Sequence, residues 1–189
     1  LDPSLGFRAA CGEGKCGLCG VLVDGRPALT CKRRLEPDHV TTLDPLPGFS
    51  VVRDLFVDRA SYYDEERELL LRIEKGEVPE APVDSARHDE YIAFKDCTEC
   101  SLCTAACPSA PALSHSHAGP PGFLQAVRSV LFEPARSTAA GGEELYRCLL
   151  CGQCEALCPR GVAVPALNRK ARGAAAAAGW EPTTLTDFL

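Results

Sequence analysis

Apolar positions along this chain fall first into strand-like and then into helix-like periods. Gly20-Val-Leu-Val-Asp-Gly25 is a short apolar run ending in an Asp-Gly turn pair, and Pro27-Ala-Leu-Thr-Cys31 is placed to return antiparallel to it. Val40-Thr-Thr-Leu43 predicts a third strand, closed by the breakers Pro45, Pro47 and Gly48. From about Ser61 to Lys75 the period turns helical. Tyr62, Leu69, Leu70 and Ile73 share one face, Glu65, Glu66, Arg67 and Arg72 lie mostly outside it, and Gly76 ends the segment. Glu77 to Asp84 holds two prolines and reads as a linker, followed by a helix from about Ser85 to Lys95. Phe123, Leu124, Val127, Val130 and Leu131 form another helical stripe, stopped by Pro134. Val164 to Arg172 predicts the last packed helix, and the alanine-rich Gly173–Gly179 reads as a tail. The expected class is α+β, with strands first and helices after.

The chemistry lies in the cysteines. Twelve occur in 189 residues, four between Cys11 and Cys31, four between Cys97 and Cys107, and four between Cys148 and Cys158. The Cys-free stretch between the first two sets marks a change of domain. The first set, Cys11-x4-Cys16-x2-Cys19 followed by Cys31, has plant-type [2Fe–2S] spacing. Gly12, Gly14, Gly17 and Gly20 let such a loop take unusual dihedrals and bring N–H groups up to the sulfurs. The second set, Cys97, Cys100, Cys103 and Cys107-Pro108, and the third, Cys148, Cys151, Cys154 and Cys158-Pro159, each match C-x2-C-x2-C-x3-C-P. In that run the fourth Cys ligates the other cluster. Cys97, Cys100, Cys103 and Cys158 are therefore assigned to one cubane, and Cys148, Cys151, Cys154 and Cys107 to the other. Zinc sites or disulfides are the alternative uses of such cysteines. The repeat, roughly fifty residues long, has too few copies for a solenoid.

Composition narrows the partners. A formal net charge of −6 gives no basis for nucleic-acid binding. No apolar run approaches the ~18 residues of a membrane span, and no signal peptide, flavin or nucleotide fingerprint is visible. The sequence contains no Met, which suggests a fragment or a processed chain. Lys15, Arg147 and Arg160 sit beside ligand positions, where they either raise a cluster's potential or are plain surface charges. His39, His88, His115 and His117 read as solvated loop residues, and the acidic run from Asp64 to Glu68 as a solvated face.

The order of the sets, with Leu5-Gly-Phe-Arg-Ala-Ala-Cys11-Gly-Glu-Gly-Lys-Cys16-Gly, Pro45-Leu-Pro-Gly-Phe-Ser-Val-Val-Arg53-Asp54-Leu55, Leu145-Tyr146-Arg147-Cys148 and Cys158-Pro159-Arg160-Gly161-Val162, resembles the iron–sulfur subunit of succinate dehydrogenase and fumarate reductase. The resemblance covers about residues 1–172. It implies a partial β-grasp plant-type ferredoxin domain over 1–57, with its opening strands missing. It further implies an α-helical two-cluster ferredoxin domain over 58–173 and a tail over 174–189. It also implies electron relay between an FAD-bearing flavoprotein and a quinone or other carrier. The protein would then be peripheral at the cytoplasmic face of a membrane, held there by an anchor subunit, and not catalytic alone. Three departures stand out. Cys151 replaces an apolar residue, favouring [4Fe–4S] over [3Fe–4S] in the third site. Cys107-Pro-Ser is followed by Ala110, Pro111 and Ala112 where aromatic residues are usual, and Leu149 stands where a histidine is common. These argue against an ordinary quinone site. They resemble the variant fumarate reductases and heterodisulfide-type reductases that use a thiol-linked or cysteine-rich partner.

Overall fold

The computed structural model describes residues 4–60, 63–64, 67–68, 91–92, 95–110, 119–132 and 139–180. Asp24 and Gly25 both take positive φ, 49° and 75°, as a two-residue type I′ hairpin requires. β1 (Gly20–Val23) and β2 (Arg26–Leu29) accordingly pair antiparallel, Gly20 opposite Leu29 and Val23 opposite Arg26. β3 (Leu43–Asp44) joins the other side of β1, giving the order β2-β1-β3. The strand expected from Val40 starts only at Leu43. Thr42 is held by the turn instead, its N–H donating to the Asp24 carboxylate at 2.9 Å and its carbonyl accepting from the Asp24 N–H at 3.0 Å.

A second hairpin, unforeseen in the sequence, joins β4 (Ser50–Arg53) and β5 (Phe56–Asp58) around Asp54, which sits at φ 51°. β4 is exposed along its length, so packing does not explain it. Its tip is the useful part. The Asp54 carboxylate accepts from the Gly6 N–H at 2.7 Å, the Gly6 carbonyl accepts from the Leu55 N–H at 3.0 Å, and the Arg8 guanidinium lies 3.7 Å over the Phe56 ring. The hairpin thus fixes the residues that lead into Cys11.

Of the helix expected over Ser61–Lys75, Tyr63, Asp64, Arg67 and Glu68 are helical and the rest lies outside the described residues. Tyr91, Ile92 and Lys95 are helical in the segment expected over Ser85–Lys95, and the Glu77–Asp84 linker lies outside the described residues. The cysteine repeats then bring α1 (Leu102–Ala105), α2 (Gly119–Phe132), α3 (Ala139–Tyr146), α4 (Gln153–Leu157) and α5 (Val164–Ala177). Pro120 and Pro121 occupy the first turn of α2, where a missing N–H leaves no bond unmade. α2 feeds two cores. Phe123 and Leu124 pack with Cys148, Cys154, Val162 and Val164, while Ala126, Val127, Val130 and Leu131 meet Leu145, Ala171 and Ala175. Burial of a side chain such as Phe123, 1% exposed, is worth about 1.5–3 kcal/mol.

The tail expected from residue 174 is corrected by α5, which runs on to Ala177. Alanine is the best helix former, and its small face lets Ala175 be buried against α2. Trp180 then folds back, its N–H donating to the Ala175 carbonyl at 3.0 Å and its ring lying 5.3 Å from that of Tyr146. A third core crosses between the two halves of the chain, combining Cys19, Leu29, Leu46 and Val57 with Cys100 and Leu102.

Candidate metal centres

Gly12 and Gly14, at φ 69° and 75°, curl the first loop around one sulfur. The backbone N–H groups of Glu13, Lys15 and Cys16 donate to Cys11 Sγ at 3.4, 3.3 and 3.4 Å. These bonds, that from Glu13 foremost, lower the Cys11 thiol to about 6. Cys19 is buried, with its Sγ 3.4 Å from that of Cys31. Cys31 rides on a 3-10 turn after β2 whose Thr30 N–H donates to the Cys19 carbonyl at 3.1 Å. Cys11, Cys16, Cys19 and Cys31 thus belong to one loop and the turn beside it.

This loop presses directly on the first repeat. A Cβ on Gly17 would lie 2.8 Å from both Cα and Cβ of Cys100, and one on Gly20 would lie 3.2 Å from the Cys100 carbonyl oxygen and from Leu102. Only glycine permits that approach, and Gly17 also sits at φ 69°.

The two repeats share one backbone path. Glu99 and Ser101, at φ 51° and 62°, flank Cys100, and Leu150 and Gly152, at 56° and 81°, flank Cys151. A short helix follows each, α1 and α4. The twin turns open two cavities. One is lined by Cys97, Cys100, Cys103, Cys154 and Cys158. The other is lined by Cys107, Cys148, Cys151 and Cys154. The first cavity therefore receives two cysteines from the second repeat, Cys154 and Cys158, and the second cavity receives Cys107 from the first. Backbone N–H groups again meet sulfur, Leu150 to Cys148 at 3.4 Å and Val162 to Cys158 at 3.3 Å. Desolvation dominates here, raising Cys97 and Cys154 to about 11 and Cys103 well above the usual range. At neutral pH such thiols ionise only beside a positive charge, which bound iron would supply. Among the described residues no three His, Cys, Asp or Glu side chains gather as around a single ion. The thiols instead line two clefts shared between the repeats.

The three cations beside ligand positions each meet a carboxylate. Lys15 pairs with Glu13 at 2.6 Å, Arg147 with Glu144 at 3.4 Å, and Arg160 with Asp96 at 3.0 Å. The last pair ties the residue before Cys97 to the segment after Cys158. Arg59 and Arg172 were not foreseen, because neither is near a cysteine in sequence. Arg172 donates to the Leu145 carbonyl at 2.7 Å and to the Cys148 carbonyl, with its guanidinium 4.6 Å over the Tyr146 ring. Arg59 reaches the Gly17 carbonyl at 3.5 Å. His39 bonds Asp24 at 3.3 Å on the surface. His88, His115 and His117 lie outside the described residues.

Residues 1–64 match the 2Fe-2S iron-sulfur cluster binding domain, and residues 93–162 match the 4Fe-4S dicluster domain. The chain is 34% identical over 176 residues to succinate dehydrogenase [ubiquinone] iron-sulfur subunit 2, mitochondrial, of Oryza sativa subsp. japonica, covering 84% of this chain and 56% of that protein. It belongs to the iron–sulfur subunit family of succinate dehydrogenase and fumarate reductase. A family relative from Methanothermobacter marburgensis, one of the subunits of its fumarate reductase (CoM/CoB), is 31% identical over 168 residues, covering 87% of this chain and 33% of the relative. The chain therefore spans about half of the rice protein and a third of the archaeal one. A chain of the Mycobacterium smegmatis Sdh1 complex in the apo form shares the fold, with TM-score 0.75 at 24% identity over 96% of this chain and 82% of that one. A [2Fe–2S] ferredoxin-type domain followed by a [4Fe–4S] dicluster domain is thus the architecture of this family member. Its converging thiols and sulfur-directed N–H groups fit those clusters.

Proposed function

We propose that this chain is the electron-transfer subunit of a succinate dehydrogenase/fumarate reductase complex. It would relay electrons between an FAD flavoprotein and a quinone or other carrier. The observation that carries the reading is continuity. The Gly17 turn rests on Cys100, and Cys154 borders both cavities, so the three cysteine groups form one contiguous path. Bound clusters carry single electrons and supply the redox chemistry. Cys11, Cys16, Cys19 and Cys31 hold [2Fe–2S]. Cys97, Cys100, Cys103 and Cys158 hold one [4Fe–4S]. Cys107, Cys148, Cys151 and Cys154 hold a second [4Fe–4S] rather than [3Fe–4S]. The sheet β2-β1-β3 with its loop is read as part of a β-grasp core over 1–57, and the helical unit as running from 58 to the end of α5. Among the described residues no helix is long and apolar enough to cross a membrane, so attachment at the cytoplasmic face would need a separate anchor.

One observation favours a second reading, the iron–sulfur arm of a heterodisulfide- or thiol-linked oxidoreductase. Cys151 is exposed and Leu149 is 67% exposed, so the outer cavity opens to an external partner. Anaerobic reconstitution with iron counting and EPR tests the ligand sets. About ten irons per chain and no oxidised [3Fe–4S] signal are expected, against about nine irons with that signal if Cys151 is idle. Co-purification with a flavoprotein that acquires succinate–fumarate activity separates the first reading from a cysteine-rich partner without it. Fumarate reduction by the chain alone would overturn both.

A further inference from the structure

Arg59 follows β5 and is half-buried at the seam between the first loop and the first repeat. Its Nη1 donates to the Gly17 carbonyl at 3.5 Å, and its Nη2 lies 3.5 Å from where a Gly20 Cβ would stand. It therefore spans the Gly17–Gly20 segment that carries Cys19. The same Gly20 position is 3.2 Å from the Cys100 carbonyl oxygen, so the guanidinium lies where the [2Fe–2S] loop meets the first cubane's ligands. Among the described residues Arg59 has no carboxylate partner, whereas Lys15, Arg147 and Arg160 all have one. A neutralised charge has little field at a distance, but an unpaired one in a partly dry seam keeps it.

We infer that Arg59 is a potential-setting residue, whose unpaired guanidinium at the seam raises the reduction potentials of the [2Fe–2S] cluster and the adjacent cubane together. This rests on the electron-relay reading above. Adding an electron to either cluster adds negative charge beside the guanidinium, so the reduced form is favoured on both sides. Because the charge is shared, it lifts the two potentials without separating them widely, and transfer across the seam is kept close to level. The outer cavity is the internal control, since the guanidinium beside it is that of Arg172, which donates to the Cys148 carbonyl.

The test is an EPR-monitored redox titration of the reconstituted full chain as wild type, R59Q and R59K, with iron counts on each. R59Q is expected to move the [2Fe–2S] and inner-cubane midpoints to more negative values. A tenfold change in each reduction equilibrium is about 59 mV for a one-electron couple. R59K should restore most of the shift, and the outer cluster should stay in place. Unchanged R59Q midpoints would overturn the inference and leave the relay reading standing. So would equal shifts in R59Q and R59K, a common shift of all three clusters, or loss of clusters in R59Q, because each marks contact rather than charge. A wild-type chain that takes up no clusters would remove the relay reading and this inference with it.

Discussion

The two cysteine repeats trace the same backbone yet face opposite surroundings. In the first, the middle cysteine, Cys100, is 8% exposed beneath the Gly17 turn and shares a core with Leu29, Leu46 and Val57. In the second, the middle cysteine, Cys151, is exposed, and its neighbour Leu149 is two-thirds exposed. The left-handed residues on either side are equivalent, so local geometry does not make the difference. What differs is that, among the described residues, one repeat is covered by another part of the chain and the other is not. The proposed relay would use this asymmetry. Its inner step needs close, dry contact, and its outer end must meet something else.

The largest expected effect tests the covered repeat. Cys100→Ala removes a proposed ligand and a buried side chain from a core shared by both halves. Reconstituted protein should lose about four irons. The [2Fe–2S] EPR signal should also change, because its loop rests on Cys100. Loss of iron with an unchanged [2Fe–2S] signal would show that the seam does not couple the two.

Next comes a pair of glycines. Gly17→Ala meets both a left-handed φ and a 2.8 Å approach to Cys100, whereas Gly152→Ala meets a left-handed φ of 81° with open space around it. Left-handed strain alone costs roughly 1–2 kcal/mol, and overpacking adds about 1–3 kcal/mol. Denaturant unfolding of the loaded chain should therefore rank Gly17→Ala below Gly152→Ala by about 1–3 kcal/mol. Equal values would mean the seam yields freely.

The exposed repeat is tested by Cys151→Ser. Little packing is lost there, so the fold should persist while about one iron leaves, with an oxidised [3Fe–4S] signal appearing. Ten irons retained would show that another group completes the site.

The cysteine sets were legible in the sequence because metal-ligand spacing is local, and the Asp24-Gly25 hairpin because a turn pair states its own dihedrals. The crossed lining of the two cavities likewise follows the repeated C-P step. What stayed hidden depended on contacts distant in sequence. β4 and β5 exist to hold Gly6 and Arg8, and β4 shows no half-buried alternation. α3 holds Gly141 and Gly142 and shows little pattern, yet the Leu145 carbonyl at its end is bonded by Asn168 and Arg172 from α5. The alanine-rich end of α5 lacks the large apolar residues that mark a packed helix, and it packs through smallness instead. Arg59 and Arg172 reach the ligand loops from 42 and 24 residues away, a separation no motif encodes.

The smallest effect separates surroundings from charge. Cys97 in the inner repeat and Cys154 in the outer one are both raised to about 11, so cover and exposure of the middle cysteine do not decide ionisation. Cys11, in the first loop, is instead lowered to about 6 by three N–H groups. Unfolded cysteine titrates near ~8.5. A depressed thiol such as Cys11 therefore contributes stability that is present above ~8.5 and is lost as pH falls through about 6. The raised thiols Cys97 and Cys154 act in the opposite sense. They cost nothing at pH 7 and destabilise the iron-free chain as pH climbs from ~8.5 towards about 11. Alkylation of the iron-free chain, mapped by mass spectrometry across pH, should label Cys11 first with a midpoint near pH 6 and leave Cys97 and Cys154 protected at pH 7. A common midpoint near ~8.5 for all three would mean that the Cys11 loop acquires its shape only when iron arrives, and both halves would then depend on metal for folding.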